Sequence, residues 1–529
     1  MPSDCISFQN SGYFSSLIND YLDQKPNVQP LYHRFPTLEN FGPQIEEKKA
    51  NFDDSKRAIL VAVLEAQYAK INASTATLNN IKLLNHSNTY TITTGHQLNL
   101  FSGPLYFLYK IISTINLTKE LQQQYPEQNF VPVYWMATED HDFEEINYFT
   151  FKGKKFYWNR ESTGPVGRLS TEGLEEFLAV FALELGNSTN AETLKKLFQE
   201  AYLKHANLAD ATRYLANALF GHYGLVILDA DDANLKRQFI PFIKEELLKQ
   251  TAFSKVNETI EQFGNYTVQV NPREINLFFI EDNLRERIIF EDGGYKINNT
   301  KRHFSEQELL AELELHPEKF SPNVVMRPLY QEVILPNLAY IGGGGEIAYW
   351  LELKSFFDAV KVTFPMLIVR NSVVLATEKQ LKKADALALT WSDLFQKQTL
   401  LINNKTKQLS EFDIDLSDLK QQLQQQFQAL NELTYKTDRS FAGAVKAQEV
   451  KQTKGLEQLE KRLLKAQKRK LADSLSRITA LQNELFPNQS LQERQANFSE
   501  FYLENGEQLL PKLVNEIKPL STNFTIITF

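Results

Sequence analysis

The chain has 529 residues, 43% hydrophobic, 12% aromatic and 23% charged, the balance of a folded globular protein and not of a disordered one. A formal net charge of −8 excludes general polyanion binding as the expected role, so neither nucleic acid nor an anionic membrane is an expected partner. A single cysteine, Cys5, excludes an intramolecular disulfide framework and any multi-cysteine metal site, and it fits a reducing compartment.

Length suggests roughly three to four domains. The N-terminus is polar, with no basic region leading into an apolar run. No apolar stretch approaches the ~20 residues a membrane span requires, so a cytoplasmic protein is expected. Residues 1–90 read as polar helices jointed at Pro26, Pro30, Pro36 and Pro43. Residues 89–125 read as a β-branched strand, a glycine-bounded loop and a long helix, and 129–149 as a second apolar strand running into charges. Strand, helix and strand in that order make a βαβ unit and require a parallel sheet. A hairpin-rich stretch follows at 153–170, then helix over 171–222 and strand, acidic loop and helix over 224–248. Alternation over 264–304 around Asp292-Gly293-Gly294 signals hairpins. Residues 321–360 alternate helix and strand around four glycines, and 362–374 read as one buried strand.

From Met366 to Phe486 there is no proline. Apolar residues recur at three-to-four spacing through Leu416, Leu419, Leu423, Phe427, Leu430 and Leu433, and again from Leu456 to Leu485, with a weaker stretch between them around 437–455. The pattern predicts long amphipathic helices pairing antiparallel as a coiled-coil arm, a plain helical bundle being the alternative. The heptads are too imperfect to give an oligomeric state.

Three segments carry candidate chemistry. In TTGHQLNLFSGPLYFLYK (93–110), a strand-to-helix turn brings Gly95, His96, Gln97, Gly103 and Lys110 to a strand's carboxyl end, where backbone N–H groups bind anions; the alternative is a packing turn with a structural histidine. In ATEDHDFEE (137–145), the acidic residues around His141 could hold a metal, bind an amine or supply a general base; the alternative is a solvated loop. In NLAYIGGGGEIAYWLELK (337–354), Gly342, Gly343, Gly344 and Gly345 lose backbone entropy on folding, which close approach to a ligand would explain, a hinge being the alternative. Upstream, Asn323, Arg327 and Gln331 are spaced to share a helical face, with Arg327 a candidate carboxylate or phosphate fork. Asp229, Asp231 and Asp232 follow another strand and suit a helix cap.

TGHQLNLFSGPLYFLYK, VPVYWMATEDHDFEEIN and SPNVVMRPLYQEVILPNLAYIGGGGEIAYW, with LDADDANLKR (228–237) and FPNQSLQERQANFSEF (486–501), resemble the bacillithiol-biosynthesis cysteine-adding enzymes, the cysteine ligases known as BshC. The order is shared along nearly the whole chain. The family usually has two glutamines after the first glycine, where this sequence has His96 and Gln97. The resemblance implies an α/β fold: a Rossmann-type parallel-sheet core over 1–375 with connecting insertions at about 150–220 and 250–320. It also implies an α-helical antiparallel coiled-coil arm over 376–486 that makes a homodimer, and a 487–529 segment returning to the core. The implied reaction joins cysteine to the amine of glucosaminyl-malate in the last step of bacillithiol biosynthesis.

A free carboxylate does not acylate an amine at useful rates, so ATP is the expected activating cosubstrate, with Mg²⁺ accompanying the nucleotide and no structural metal. On this reading Gly95, His96, Gln97, Gly103, Lys110 and the four glycines take the nucleotide, and Lys110 reaches a phosphate without supporting the fold. Glu139, Glu144, Asn323, Arg327, Gln331, Glu346 and Tyr349 bind substrates. Asp140, His141 and Asp142 are the catalytic candidates, with Asp142 and Glu139 expected to raise the His141 pKa by holding its imidazolium. Another ATP-dependent ligase or nucleotidyltransferase on the same core would share these loops, whereas a non-catalytic coiled-coil interaction protein would need none of them.

Overall fold

Thr89–His96 (β1) is buried along its whole length, which is why it reads as a nearly continuous β-branched run instead of alternating. The chain passes through Tyr106–Gln124 (α1) into Asn129–Met136 (β2), which pairs parallel with β1 from Thr89 opposite Asn129 to His96 opposite Met136. Val226–Asp229 (β3) adds parallel to β2. The chain then returns to the other side of β1. Met326–Ile334 (α2) leads into Asn337–Gly342 (β4), Gly344–Leu351 (α3) and Met366–Val369 (β5). The sheet order is β5-β4-β1-β2-β3, all parallel. Order reverses between β1 and β4, and a doubly wound sheet opens a crevice at the carboxyl ends of its strands where that happens. Tyr90, Ile92, Leu117, Leu338, Ile341 and Ile368 form the core around the sheet.

This is a computed structural model in which residues 6–529 are described; Cys5 lies outside them. Two compact units emerge, one of residues 7–375 with 491–527 and one centred on 376–490. The first carries, besides the parallel sheet, a five-stranded antiparallel sheet ordered Phe320–Pro322, Leu277–Glu281, Leu284–Glu291, Gly294–Ile297 and His303–Phe304. Asp292 (φ 53°) and Gly293 (φ 77°) make the expected hairpin turn, both left-handed as a two-residue turn of this hand requires.

The strand expected over 362–374 is two strands. The second, Val373–Ala376, pairs with Thr525–Thr528 in a separate sheet. Between them Arg370, Asn371 and Ser372 are buried polar residues with their own partners, and such a tripeptide cannot run through the middle of an apolar strand.

In the helical unit, Ser417–Thr434 (α4) and Arg439–Lys470 (α5) form an antiparallel hairpin, tied by Lys420 to Glu460 at 2.7 Å. The stretch expected to be weak, 437–455, is helical from Arg439 onward, and Asp438 caps it by accepting from the Ser440 N–H. Ala472–Leu485 (α6) buries Leu475, Ile478, Leu481 and Leu485 and packs on helix Gln398–Gln408.

Candidate active site

The crevice between β1 and β4 is a cavity of about 860 Å³. Its floor depends on the first glycine: a Cβ at Gly95 would lie 2.9 Å from the Tyr340 hydroxyl of β4. Past β1 the chain turns through left-handed conformations at Phe101 (φ 46°) and Ser102 (φ 67°), which non-glycine residues adopt only when held. Asn497 holds them, its Nδ2 donating to the carbonyls of Phe101 (2.8 Å) and Gly103 (2.6 Å). Gly103 therefore serves the turn (φ 62°, with no room for a Cβ beside Asn99) and does not line the cavity.

His96 does line it, edge-on to Tyr106 and against Phe107. Burial, then Lys110 and Arg370, push its pKa well below the ordinary histidine range, so it is a neutral imidazole. Lys110 is turned inward. Its Nζ donates to the Gly95 carbonyl at 2.7 Å and pairs with Glu346 at 2.5 Å. It ties the first turn to the glycine loop across the switch point, so a role in support of the fold replaces the expected independence from it.

The four glycines avoid left-handed backbone altogether; among them Gly342 belongs to β4, and a Cβ there would meet Tyr340 and Glu346 at 3.0 Å. Gly345 has nothing within 4 Å of a would-be Cβ, and with Gly343 it faces the cavity. Gly344 lines a smaller neighbouring cavity instead. Glu346 caps α3 by accepting from the Gly343 N–H (2.8 Å) and also accepts from the Tyr340 hydroxyl (2.8 Å). Burial raises its pKa, but Lys110 and these donors together bring it below the usual carboxylate range.

Arg327 sits in α2 among three rings, Trp135, Tyr340 and Trp350, with its guanidinium carbon 5.5–5.8 Å from each centroid. It donates to Gln331 at 3.0 Å and pairs with no carboxylate among the described residues. Gln331 is wholly buried behind it, joined to Glu332, which Lys48 neutralises at 3.0 Å, so Gln331 orients Arg327 and does not reach the cavity. Asn323 lies outside the helix, which starts at Met326, and accepts from the N–H groups of Val325 and Met326; it still borders the cavity. Tyr349 borders it too.

The acidic cluster divides. Glu139 and Asp140 line the cavity; His141, Asp142 and Glu144 do not. Glu139 pairs with buried Lys236, which also holds Asp231 at 3.1 Å, and Arg168 holds Asp231 at 2.8 Å. Burial pushes the Glu139 carboxyl up against the pull of Lys236. Asp232 caps the next helix, accepting from the Asn234 and Leu235 N–H groups. Gln97 donates to Asp140 (3.1 Å) and to Glu145 (2.9 Å), linking the first motif to this cluster. His141 is half-exposed and accepts at Nδ1 from Arg285 (2.6 Å). Burial, then Arg285, lower its pKa; Asp140 and Asp142 act to raise it, as expected of Asp142, but are outweighed, and Glu139 turns to Lys236. Among the described residues no three His, Cys, Asp or Glu groups converge as a metal cage.

Sequence reasoning missed five cations around the cavity: Arg273, Arg285 and Arg287 from the inserted sheet and the segment before it, and Arg370 and Arg494. With Lys110 and Arg327 they make seven against the carboxylates of Glu139, Asp140 and Glu346. Arg370 had a local signal, a charge directly after the apolar run Met366–Val369.

Fold and site together define a doubly wound α/β protein with a cationic crevice at its switch point and a helical hairpin arm. Residues 1–371 match the family description "Bacillithiol biosynthesis BshC, N-terminal Rossmann-like domain", and residues 373–529 match "Bacillithiol biosynthesis BshC, C-terminal coiled-coil domain". Relatives named "Putative cysteine ligase BshC" include a Flavobacterium johnsoniae protein, 72% identical over all of both chains. One from Cytophaga hutchinsonii is 38% identical over 99% of this chain and 98% of its own, and one from Bacillus cereus is 29% identical over 90% and 91%. The chain belongs to the BshC family of bacillithiol biosynthesis. No helix among the described residues is long and apolar enough to cross a membrane.

Proposed function

We propose that this protein joins cysteine to the amine of glucosaminyl-malate in the last step of bacillithiol biosynthesis, with the cysteine carboxylate activated by a nucleotide. The observation that carries the reading is Arg327, a partly buried guanidinium among aromatic rings with no carboxylate in an ion pair with it among the described residues, facing a cavity that Glu139 and Asp140 border as well. A cation partly withdrawn from water, with only the neutral partners Gln331 and Tyr349, gains most from a ligand that supplies the anion. The malate carboxylates are such anions. The acidic residues suit the amine, and Asp140 is the group to accept its proton as the amide forms.

ATP enters as a substrate, bringing Mg²⁺. Beyond the Gly343 N–H, which Glu346 takes, the α3 N-terminus offers the Gly345 N–H to a phosphate, and Gly345 leaves space for close approach. The arm supports a homodimer: Leu419, Leu430, Leu433 and Leu459 are 38–55% exposed on α4 and α5, and a second copy would cover them.

The test is formation of product thiol from cysteine, ATP and glucosaminyl-malate, run beside glucosamine lacking the malate. The full acceptor should turn over well, and the truncated one should lose most of kcat/KM. Equal use of both acceptors would remove Arg327 from malate recognition and favour another ligase on the same core.

A further inference from the structure

The smaller cavity that Gly344 lines measures about 190 Å³. It adjoins the main one, since Gln269, Gly343, Gly345, Arg370 and Arg494 border both. Phe14, Ile18, Ala348 and Val369 make its apolar side. Its polar side is cationic. Arg370 follows β5 directly and is only 5% exposed, its guanidinium lying 4.9 Å from the centre of the Tyr106 ring. Nη2 pairs with Glu493 at 2.8 Å and Nη1 donates to the Asn371 carbonyl at 3.0 Å, but Nε is buried without a hydrogen-bond partner. A Cβ on Gly343 would lie 3.7 Å from that Nε, so the orphan donor sits against the glycine loop. A buried donor left unmatched is costly, and a ligand oxygen that reaches it removes the cost.

Glu493, the carboxylate of this cavity, is already engaged, accepting also from the Ser372 hydroxyl (3.0 Å) and the Val373 N–H (3.1 Å). Arg494 beside it is exposed and has no ion pair among the described residues. The first N–H groups of a helix lack intrahelical partners, and Gly343 has no side chain with which to cap those of α3. Gly344 lines the side cavity and Gly345 lines both cavities.

We propose that the side cavity is a phosphate subsite, in which Arg370 Nε, Arg494 and the Gly344 and Gly345 N–H groups take the terminal phosphates of the nucleotide. This rests on the nucleotide-activated reading given above and says where the nucleotide's charge goes. Two guanidiniums against one carboxylate leave the cavity positive, and a guanidinium beside helix N–H groups matches the several oxygens of a phosphate. The volume admits a phosphate group or two and no nucleoside, which leaves sugar and base in the main cavity. Arg327 borders the main cavity alone, so the malate carboxylates and the phosphates have separate seats.

Calorimetric titration of the full chain with inorganic pyrophosphate reads the subsite without catalysis. The wild type should bind it, and ATP should displace it. Arg494→Gln should weaken it at least about tenfold, the loss of a charge-assisted bond, with an unchanged melting temperature because Arg494 is exposed. Arg370→Lys keeps a charge for Glu493 but loses Nε and should weaken pyrophosphate as well; Arg494→Gln carries the test if that variant does not fold. Free malate is the control for the main cavity: Arg494→Gln should leave its affinity unchanged, whereas Arg327→Met should abolish it and spare pyrophosphate. In turnover assays Arg494→Gln should raise KM for ATP and leave KM for glucosaminyl-malate flat. A wild type that does not bind pyrophosphate, or binding that Arg494→Gln leaves intact, overturns the subsite. Equal loss of malate and pyrophosphate in Arg494→Gln overturns the separate seats. Turnover without any nucleotide overturns the reading beneath the proposal and its nucleotide part, while the pyrophosphate titration still judges the anion subsite.

Discussion

All six residues of β4 are buried, whereas Phe427 alone is buried along α4, although both segments are strongly patterned in sequence. The sheet satisfies its apolar residues within one chain. The arm hairpin encloses Phe427 and Val445 and leaves Leu430, Leu433, Phe441 and Val450 38–47% exposed. Pattern alone predicts both elements, but burial separates them: a completed core can hold buried charges in fixed geometry, and an open apolar stripe is where the proposed second copy would pack.

The sharpest way to break the core side of that comparison is Lys110→Met. Removing the lysine takes the cation from Glu346, whose side chain is 27% exposed and keeps the Gly343 and Tyr340 donors, so the loss should be ~1.5–3 kcal/mol, the range for a hydrogen bond to a charged group. Denaturant unfolding should register that loss, and the double variant Lys110→Met/Glu346→Gln should recover much of it. A single variant as stable as the wild type would return Lys110 to the phosphate role.

Arg327→Met comes next. Its guanidinium has no internal carboxylate to strand, so the fold should tolerate the change while recognition suffers. Loss of charge-assisted bonds worth ~1.5–3 kcal/mol predicts roughly a 10- to 200-fold fall in kcat/KM. Arg327→Lys should rescue little, because an ammonium lacks the planar fork.

The βαβ start, the glycine loop and the acidic cluster were legible because each is local: a strand, its turn and the first residues of a helix lie within about twenty positions. The partition of the acidic cluster was not legible. Glu139 turns to Lys236 and His141 to Arg285, partners 97 and 144 positions away that no spacing rule links. The same holds for Arg273, Arg285, Arg287 and Arg494, which arrive on the inserted sheet, the segment before it and the C-terminal return, whereas Arg370 followed directly on β5. In the arm the antiparallel pairing was legible from the apolar sets Leu416–Leu433 and Leu456–Leu485, but the first half of the partner helix, 439–455, read as a weaker stretch because its apolar spacing is sparse and it holds the glycines at 443 and 455, which α5 absorbs.

The arm is tested by Leu430→Glu with Leu433→Glu. Each exposed leucine that becomes buried in a dimer contributes ~1–2 kcal/mol, and a charge in its place opposes association. Light scattering should report a monomer, with the melting of the sheet unit unchanged. A dimer that survives both substitutions would move the interface off this stripe.

The smallest effect should come from His141→Ala. A general base should border the cavity, and one working near neutrality benefits from a pKa near the working pH. His141 does neither: it lies outside the cavity wall, its Nδ1 lone pair is engaged by Arg285, and burial with that guanidinium holds its pKa below the ordinary range. What the imidazole does is hold Arg285, whose guanidinium also reaches Asp140 at 3.7 Å and stacks over Phe278 at 4.1 Å. Freed from the histidine, Arg285 should draw closer to Asp140, and the rate should fall by less than about tenfold, equivalent to ~1 kcal/mol. Asp140→Asn removes the carboxylate that borders the cavity and should cost on the order of 10²-fold or more, the range for a lost general base. Measured side by side at pH 7, the two variants decide the matter: a loss of 10²-fold or more in His141→Ala with near-normal turnover in Asp140→Asn would restore the histidine as the base.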